Sequence, residues 1–88
     1  MRFPISIMKV REQSMFPSLN DGDYIIVSRW SKCKANDVVV AKGSGMLLVK
    51  RISKTEGARY YISGDNKQES KDFVVGKEEI IGKVIFKL

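Results

Sequence analysis

Short apolar runs, each closed by a cluster of turn-forming residues, recur along the whole chain. That rhythm leaves little room for anything but strands. The expected strands are Ile5 to Val10, Tyr24 to Ser28, Asp37 to Ala41, Met46 to Ser53, Arg59 to Ser63 and Ile80 to Phe86. Between them lie Asn20-Asp21-Gly22, Gly43-Ser44-Gly45, Thr55-Glu56-Gly57 and Gly64-Asp65-Asn66, in which Gly, Asn and Asp supply turn geometry. The second and third of these read as hairpin connections. No segment offers a capped amphipathic helix longer than about two turns. A single turn at Phe16 to Leu19, with Pro17 early in it, is the best helical candidate. The fold class is therefore mostly β, with at most one short helical turn, in a single domain over residues 1–88.

At 88 residues the chain is near the lower limit for a core without staples, yet its 43% hydrophobic and 30% charged residues suit a globular protein. Cys33 is the sole cysteine and there is no histidine. This excludes an intramolecular disulfide and Cys-His catalysis, and neither a metal site nor a cofactor is expected. The net charge of +6 is spread along the chain without a run of five basic residues, which reads as a solvated basic surface, so nucleic acid is not among the expected partners. The apolar stretch near the N-terminus, Phe3 to Met8, is shorter than the roughly seven to fifteen residues of a signal-peptide core and the roughly twenty of a membrane span. The expectation is a soluble, cytoplasmic protein with no signal peptide or transmembrane segment, and at most a peripheral membrane contact.

One segment carries chemistry. Ser14 stands before Met15-Phe16-Pro17, and serine needs a partner to take its proton. Without histidine, lysine is the natural candidate, since Ser/Lys pairs are an established alternative. Free lysine has a pKa of about 10.4 and is almost wholly protonated at neutral pH, so a lysine acting as base belongs on an apolar face away from carboxylates. Lys50 fits best: strand alternation sets it beside Leu48 and Ile52, while Arg51 shares the other face with Leu47 and Val49. Alternation alone does not decide which face is the core. Lys9, Lys83 and Lys87 also interrupt apolar strands, and a snorkelling lysine is the ordinary reading of such a position.

Ser14-Met15-x-Pro17-x-Leu19 with Asp21-Gly22-Asp23, then Val49-Lys50-Arg51, then Gly64-Asp65-Asn66 with Ser70 and Asp72, resembles the type I signal peptidase family and its relatives, which include the LexA-type peptidases. Ile81-Gly82-Lys83-Val84 is similar to that family's closing strand. Each motif also has an ordinary reading, as a helix cap, a turn or a polar loop; their joint order is what is specific. The resemblance implies a small, largely antiparallel twisted sheet with a barrel-like core. It implies a serine endopeptidase with Ser14 as nucleophile and Lys50 as general base, Ser70 orienting the lysine, and Asp65, Asn66 and Asp72 shaping the supporting loop. The implied partner is a protein or leader peptide bound in extended form. Small anchor-free proteins resembling this chain include maturation proteases that trim the leader of nickel superoxide dismutase.

The chain departs from the pattern in places. The backbone N–H of Ser14 can serve the oxyanion, with Gln13 and Glu12 on its flank, but many relatives place a small hydroxyl residue where Glu12 stands. An ionised carboxylate only accepts hydrogen bonds and would oppose the developing charge. Phe73-Val74 follow Asp72 where the family has Ser-Arg, so the ion pair that pins this loop falls to Arg51 or another cation. No N-terminal anchor and no large secondary domain are expected, because only a short turn separates Met46–Ser53 from Arg59–Ser63. Two other functions compete: a non-catalytic binding or regulatory module that keeps the fold, and a LexA-type self-cleaving domain. The second is disfavoured because neither a helix-turn-helix nor an Ala-Gly bond precedes Ser14.

Overall fold

The computed structural model describes residues 4–43, 45–68 and 71–88. In chain order the strands are β1 (Ile5–Lys9), β2 (Tyr24–Ser28), β3 (Val38–Gly43), β4 (Met46–Glu56), β5 (Arg59–Ser63), β6 (Phe73–Gly76) and β7 (Ile80–Lys87). One 3₁₀ turn, Lys77–Glu79, leads into β7. The strands form a single sheet in the order β1-β2-β7-β3-β4-β5-β6, every neighbouring pair antiparallel, curled into a half-barrel.

Six of these strands pair with a neighbour in sequence, which is what short apolar runs separated by turn residues produce. In the β4–β5 hairpin Glu56 pairs with Arg59, and Gly57 takes φ +57, a conformation that costs glycine nothing. This two-residue loop leaves no place for an inserted domain. The exception is β7, which crosses over to run between β2 and β3. Its register shifts by a residue against each neighbour, between Ile26 and Val27 of β2 and between Val40 and Ala41 of β3. Such bulges bend a sheet and increase its twist. At Gly82 the approach to β2 is so close that a Cβ would sit 2.7 Å from the Ser28 carbonyl oxygen, so only glycine fits this crossing.

Curling buries both faces of the central strands. Val10, Met15, Leu19, Ile25, Val27, Val40 and Val49 make one cluster; Val39, Ala41, Ile52, Ile62 and Val75 make the other. Each fully buried Val or Ile contributes about 1.5–3 kcal/mol relative to exposure. Met15 and Leu19 tie the β1–β2 connection into the first cluster, and the Leu19 N–H donates to the Met15 carbonyl at 2.9 Å. The segment is a hydrogen-bonded turn with a cis Phe16–Pro17 peptide rather than the helical turn expected there; the 3₁₀ turn lies at Lys77–Glu79 instead. Lys50 is directly opposite Val39 and so belongs to the face of the second cluster.

β6 was not expected as a strand. Its apolar residues Phe73-Val74-Val75 are too few to stand out in sequence, yet they pair with Tyr60 to Ile62 and cap the open edge of β5. Asp37 lies just outside β3; its carboxylate accepts the Lys34 N–H at 2.9 Å and faces the Lys83 Nζ at 3.5 Å. Among the described residues, no helix is long and apolar enough to cross a membrane.

Candidate active site

The β1–β2 connection delivers Ser14 to β4 from the side. Ser14 is 4% exposed, and its Oγ lies 3.5 Å from the carbonyl oxygen of Val49, the residue preceding Lys50. Lys50 is 3% exposed, and its Nζ lies 5.7 Å from the centre of the Phe73 ring, within the range of a cation–π contact. Both side chains line one cleft of about 300 Å³, with Glu12, Gln13, Leu48 and Phe73 among its other walls. Leu48 gives Lys50 an apolar neighbour, as the alternation of β4 implied, and Phe73 of β6 adds a second.

Glu12 turns toward the serine. The Ser14 hydroxyl donates to Glu12 Oε1 at 2.7 Å, a much shorter contact than that to Val49. A hydroxyl carries one proton, so the carboxylate holds it in this state. The half-buried Glu12 is therefore at the serine rather than turned into solvent.

The Gly64-Asp65-Asn66 segment braces the serine loop from the opposite side. The Asn66 N–H donates to the Ser14 carbonyl at 2.8 Å, and Asn66 Nδ2 donates to the Gln13 carbonyl at 3.0 Å. The peptide carbonyls on both sides of Ser14 are thus anchored to one asparagine, which leaves less freedom for the Ser14 backbone. Asp65 works one step further out. Arg51 Nε and Nη2 each donate to one of its oxygens at 2.8 Å, and the Ser18 hydroxyl donates to Oδ2 at 2.6 Å. The Arg51 hydrogen bonds, seconded by Ser18, hold the Asp65 carboxyl below the usual carboxylate range, against the opposing effect of partial burial. Arg51 in turn is raised, chiefly by the same hydrogen bonds. Arg51 Nη1 also donates to the Asn36 carbonyl at 2.8 Å, which joins the β2–β3 connection to the same brace. Here Arg51 is the cation that pins the loop.

Not every expected residue gathers at the cleft. Asp72 is exposed and lines a separate hollow with Ser53, Tyr61 and Phe73, away from Ser14. Ser70 lies outside the described residues. Sequence reasoning passed over Phe73 as a cleft wall, although an aromatic in place of a polar pair was a visible signal. It also passed over Ser18, whose link to Asp65 spans 47 positions and leaves no local trace. Among the described residues, no three His, Cys, Asp or Glu side chains group as metal ligands would.

A second hollow, about 510 Å³, adjoins the first and shares Glu12 and Met46 with it; Met8, Val40, Leu47 and Val49 add apolar walls. A family model described as peptidase S24-like matches residues 4–85 of the chain. Among curated proteins none matches it.

Proposed function

The chain belongs to the peptidase S24-like family, and from that premise we propose that it is a serine endopeptidase in which Ser14 attacks and Lys50 accepts the proton. One observation carries this reading: the two side chains, each almost wholly buried, wall the same cleft.

In this mechanism Lys50 reacts as the amine. Ser14 Oγ adds to the scissile carbonyl while its proton passes to Nζ. The oxyanion is met by the Ser14 N–H, in a segment that Asn66 holds still. Collapse expels the amine leaving group, which takes the proton back from Lys50, and water then releases the acyl chain by the same route. The apolar hollow beside Glu12 and Met46 suits the side chains of an extended substrate strand. The finer likeness to type I signal peptidases, and a leader peptide as substrate, rest on the order of the motifs.

The short contact between Ser14 and Glu12 favours a second reading, a regulatory or binding module whose serine is held out of use. A proteome-derived peptide library read by mass spectrometry separates the two. The native protein is expected to make discrete cuts that disappear with Ser14→Ala and with Lys50→Met, a variant that keeps the buried stem. Cuts that survive Ser14→Ala would sink the mechanism, and a folded native protein that makes no cut favours the module. The mass of the chain itself in the same samples reports self-cleavage.

A further inference from the structure

One basic cleft of this chain is assembled by the fold from segments far apart in sequence. Arg29, Trp30, Lys32 and Cys33 come from the β2–β3 connection, Tyr60 from β5, and Lys77 from the 3₁₀ turn. Together with Ile80 they line a cleft of about 460 Å³ that shares no residue with the Ser14 cleft. The volume is that of a small-molecule site.

Three features define what would fit. Arg29, Lys32 and Lys77 form no ion pair among the described residues, and no carboxylate lines the cleft. The nearby acids are engaged elsewhere: Asp37 faces Lys83 at 3.5 Å, and Glu79 Oε1 accepts the Gly76 N–H at 2.8 Å, leaving Glu78 beside Lys77 in the turn. Arg29 Nε is oriented by the Ser6 hydroxyl at 3.1 Å, which fixes one edge of the guanidinium and leaves the other for an anion. Finally, Trp30 is 78% exposed, an unusual position for an indole, and Tyr60 is half-buried at the same cleft. Unpaired cations beside an open aromatic face match a ligand that carries both negative charge and a flat ring.

We propose that this cleft binds a nucleoside phosphate, with the base stacked on Trp30 and the phosphates held by Arg29, Lys32 and Lys77. The ligand is either a free nucleotide or a nucleotide within a single strand. The site stands apart from the peptidase reading and does not depend on it.

Trp30 is the sole tryptophan, so its fluorescence reports this cleft alone. Titration with ATP is expected to quench it, with binding weakened by salt. Calorimetry should give a matching Kd that Ser14→Ala leaves unchanged. Lys32→Ala with Lys77→Ala, both at exposed positions, should weaken binding roughly tenfold or more. Trp30→Ala should weaken it similarly and Trp30→Phe restore it. A short oligothymidylate that binds more tightly than ATP at the same residues assigns the source to single-stranded nucleic acid; the reverse order assigns it to free nucleotide. Inorganic triphosphate binding as tightly as ATP would overturn the stacking role. Failure of both ATP and the oligonucleotide to bind would overturn the site, as would binding indifferent to Trp30→Ala and to the lysine pair, in variants whose circular dichroism matches the native protein.

Discussion

Arg51 grips Asp65 through two parallel hydrogen bonds of 2.8 Å, and so fastens β4 to the loop that holds the Ser14 backbone. Adjacent β4 residues thereby take opposite tasks. Lys50 faces the cleft with Ser14, while Arg51 on the other side secures the loop that braces Ser14.

Breaking this bidentate pair should cost stability and order together. Arg51→Ala is expected to destabilise by about 1–3 kcal/mol. For a domain of this size that lowers the melting temperature by roughly 4–8 °C per kcal/mol. A thermal melt within a degree of the native protein would show that the pair contributes nothing.

The same pair sets an acid limit. Because Asp65 is depressed in the folded state, the unfolded chain binds the proton more readily, so this contribution is fully present above the unfolded carboxyl value of about 4 and is lost as pH falls through the lower folded value. Stability measured against pH should decline below about 4 in the native protein. Asp65→Asn should be less stable at neutral pH and decline less steeply. Parallel curves for the two proteins would contradict this.

Glu12 should act as a brake on Ser14. It holds the hydroxyl proton at 2.7 Å, and in the proposed mechanism its negative charge beside Ser14 would oppose the charge developing on the substrate oxygen. Glu12→Thr removes that charge and supplies a donor, and is expected to raise the rate of peptide cutting at least tenfold, since a single oxyanion donor is worth about 10²–10³. A fall in rate would instead make Glu12 a working part of the reaction.

Asn66 should matter more to turnover than to folding. Asn66→Asp replaces the Nδ2 donor to the Gln13 carbonyl with an acceptor, so a hydrogen bond becomes a repulsion. Cleavage is expected to drop by at least an order of magnitude through kcat, with the far-ultraviolet circular dichroism unchanged. Unaltered kcat would remove the brace from the mechanism.

Gly82→Ala should destabilise by about 1–3 kcal/mol, because the new methyl meets the Ser28 carbonyl at 2.7 Å and the Val27 Cγ1 at 2.6 Å in the packed centre of the sheet. Denaturant titration reads this directly, and a midpoint equal to the native one would show that β2 and β7 can part without cost.

Much of this was legible in the chain itself. Tyr24–Ser28 and Arg59–Ser63 have the bounds their apolar runs suggested; turn residues close both ends of the second and precede the first. The neighbourhood of Lys50 followed from period-two alternation, although only the curl of the sheet shows why Val49 and Lys50, on opposite faces, are both buried. What was not legible has long-range causes. β6 is held by pairing with β5 more than by its own short pattern, and Asp72 drew attention by its place in a motif while its side chain lies at another hollow. The basic cleft joins Lys32 to Lys77 across the sheet, and no local run of charge announces it.

The position of β7 has a consequence for how the molecule is born. The strand that lies between β2 and β3 follows every other strand in the chain, so a ribosome releases the β1–β2 hairpin and the β3–β6 meander before the piece that joins their edges. Ser14 belongs to the first of these parts and Lys50 to the second. A nascent chain therefore carries both residues before the strand that joins their sheet halves is made, when the Asn66 and Asp65 contacts to the serine loop are among the links between the two parts. The order of synthesis leaves the sheet in two halves until β7 is made, and closes it only then.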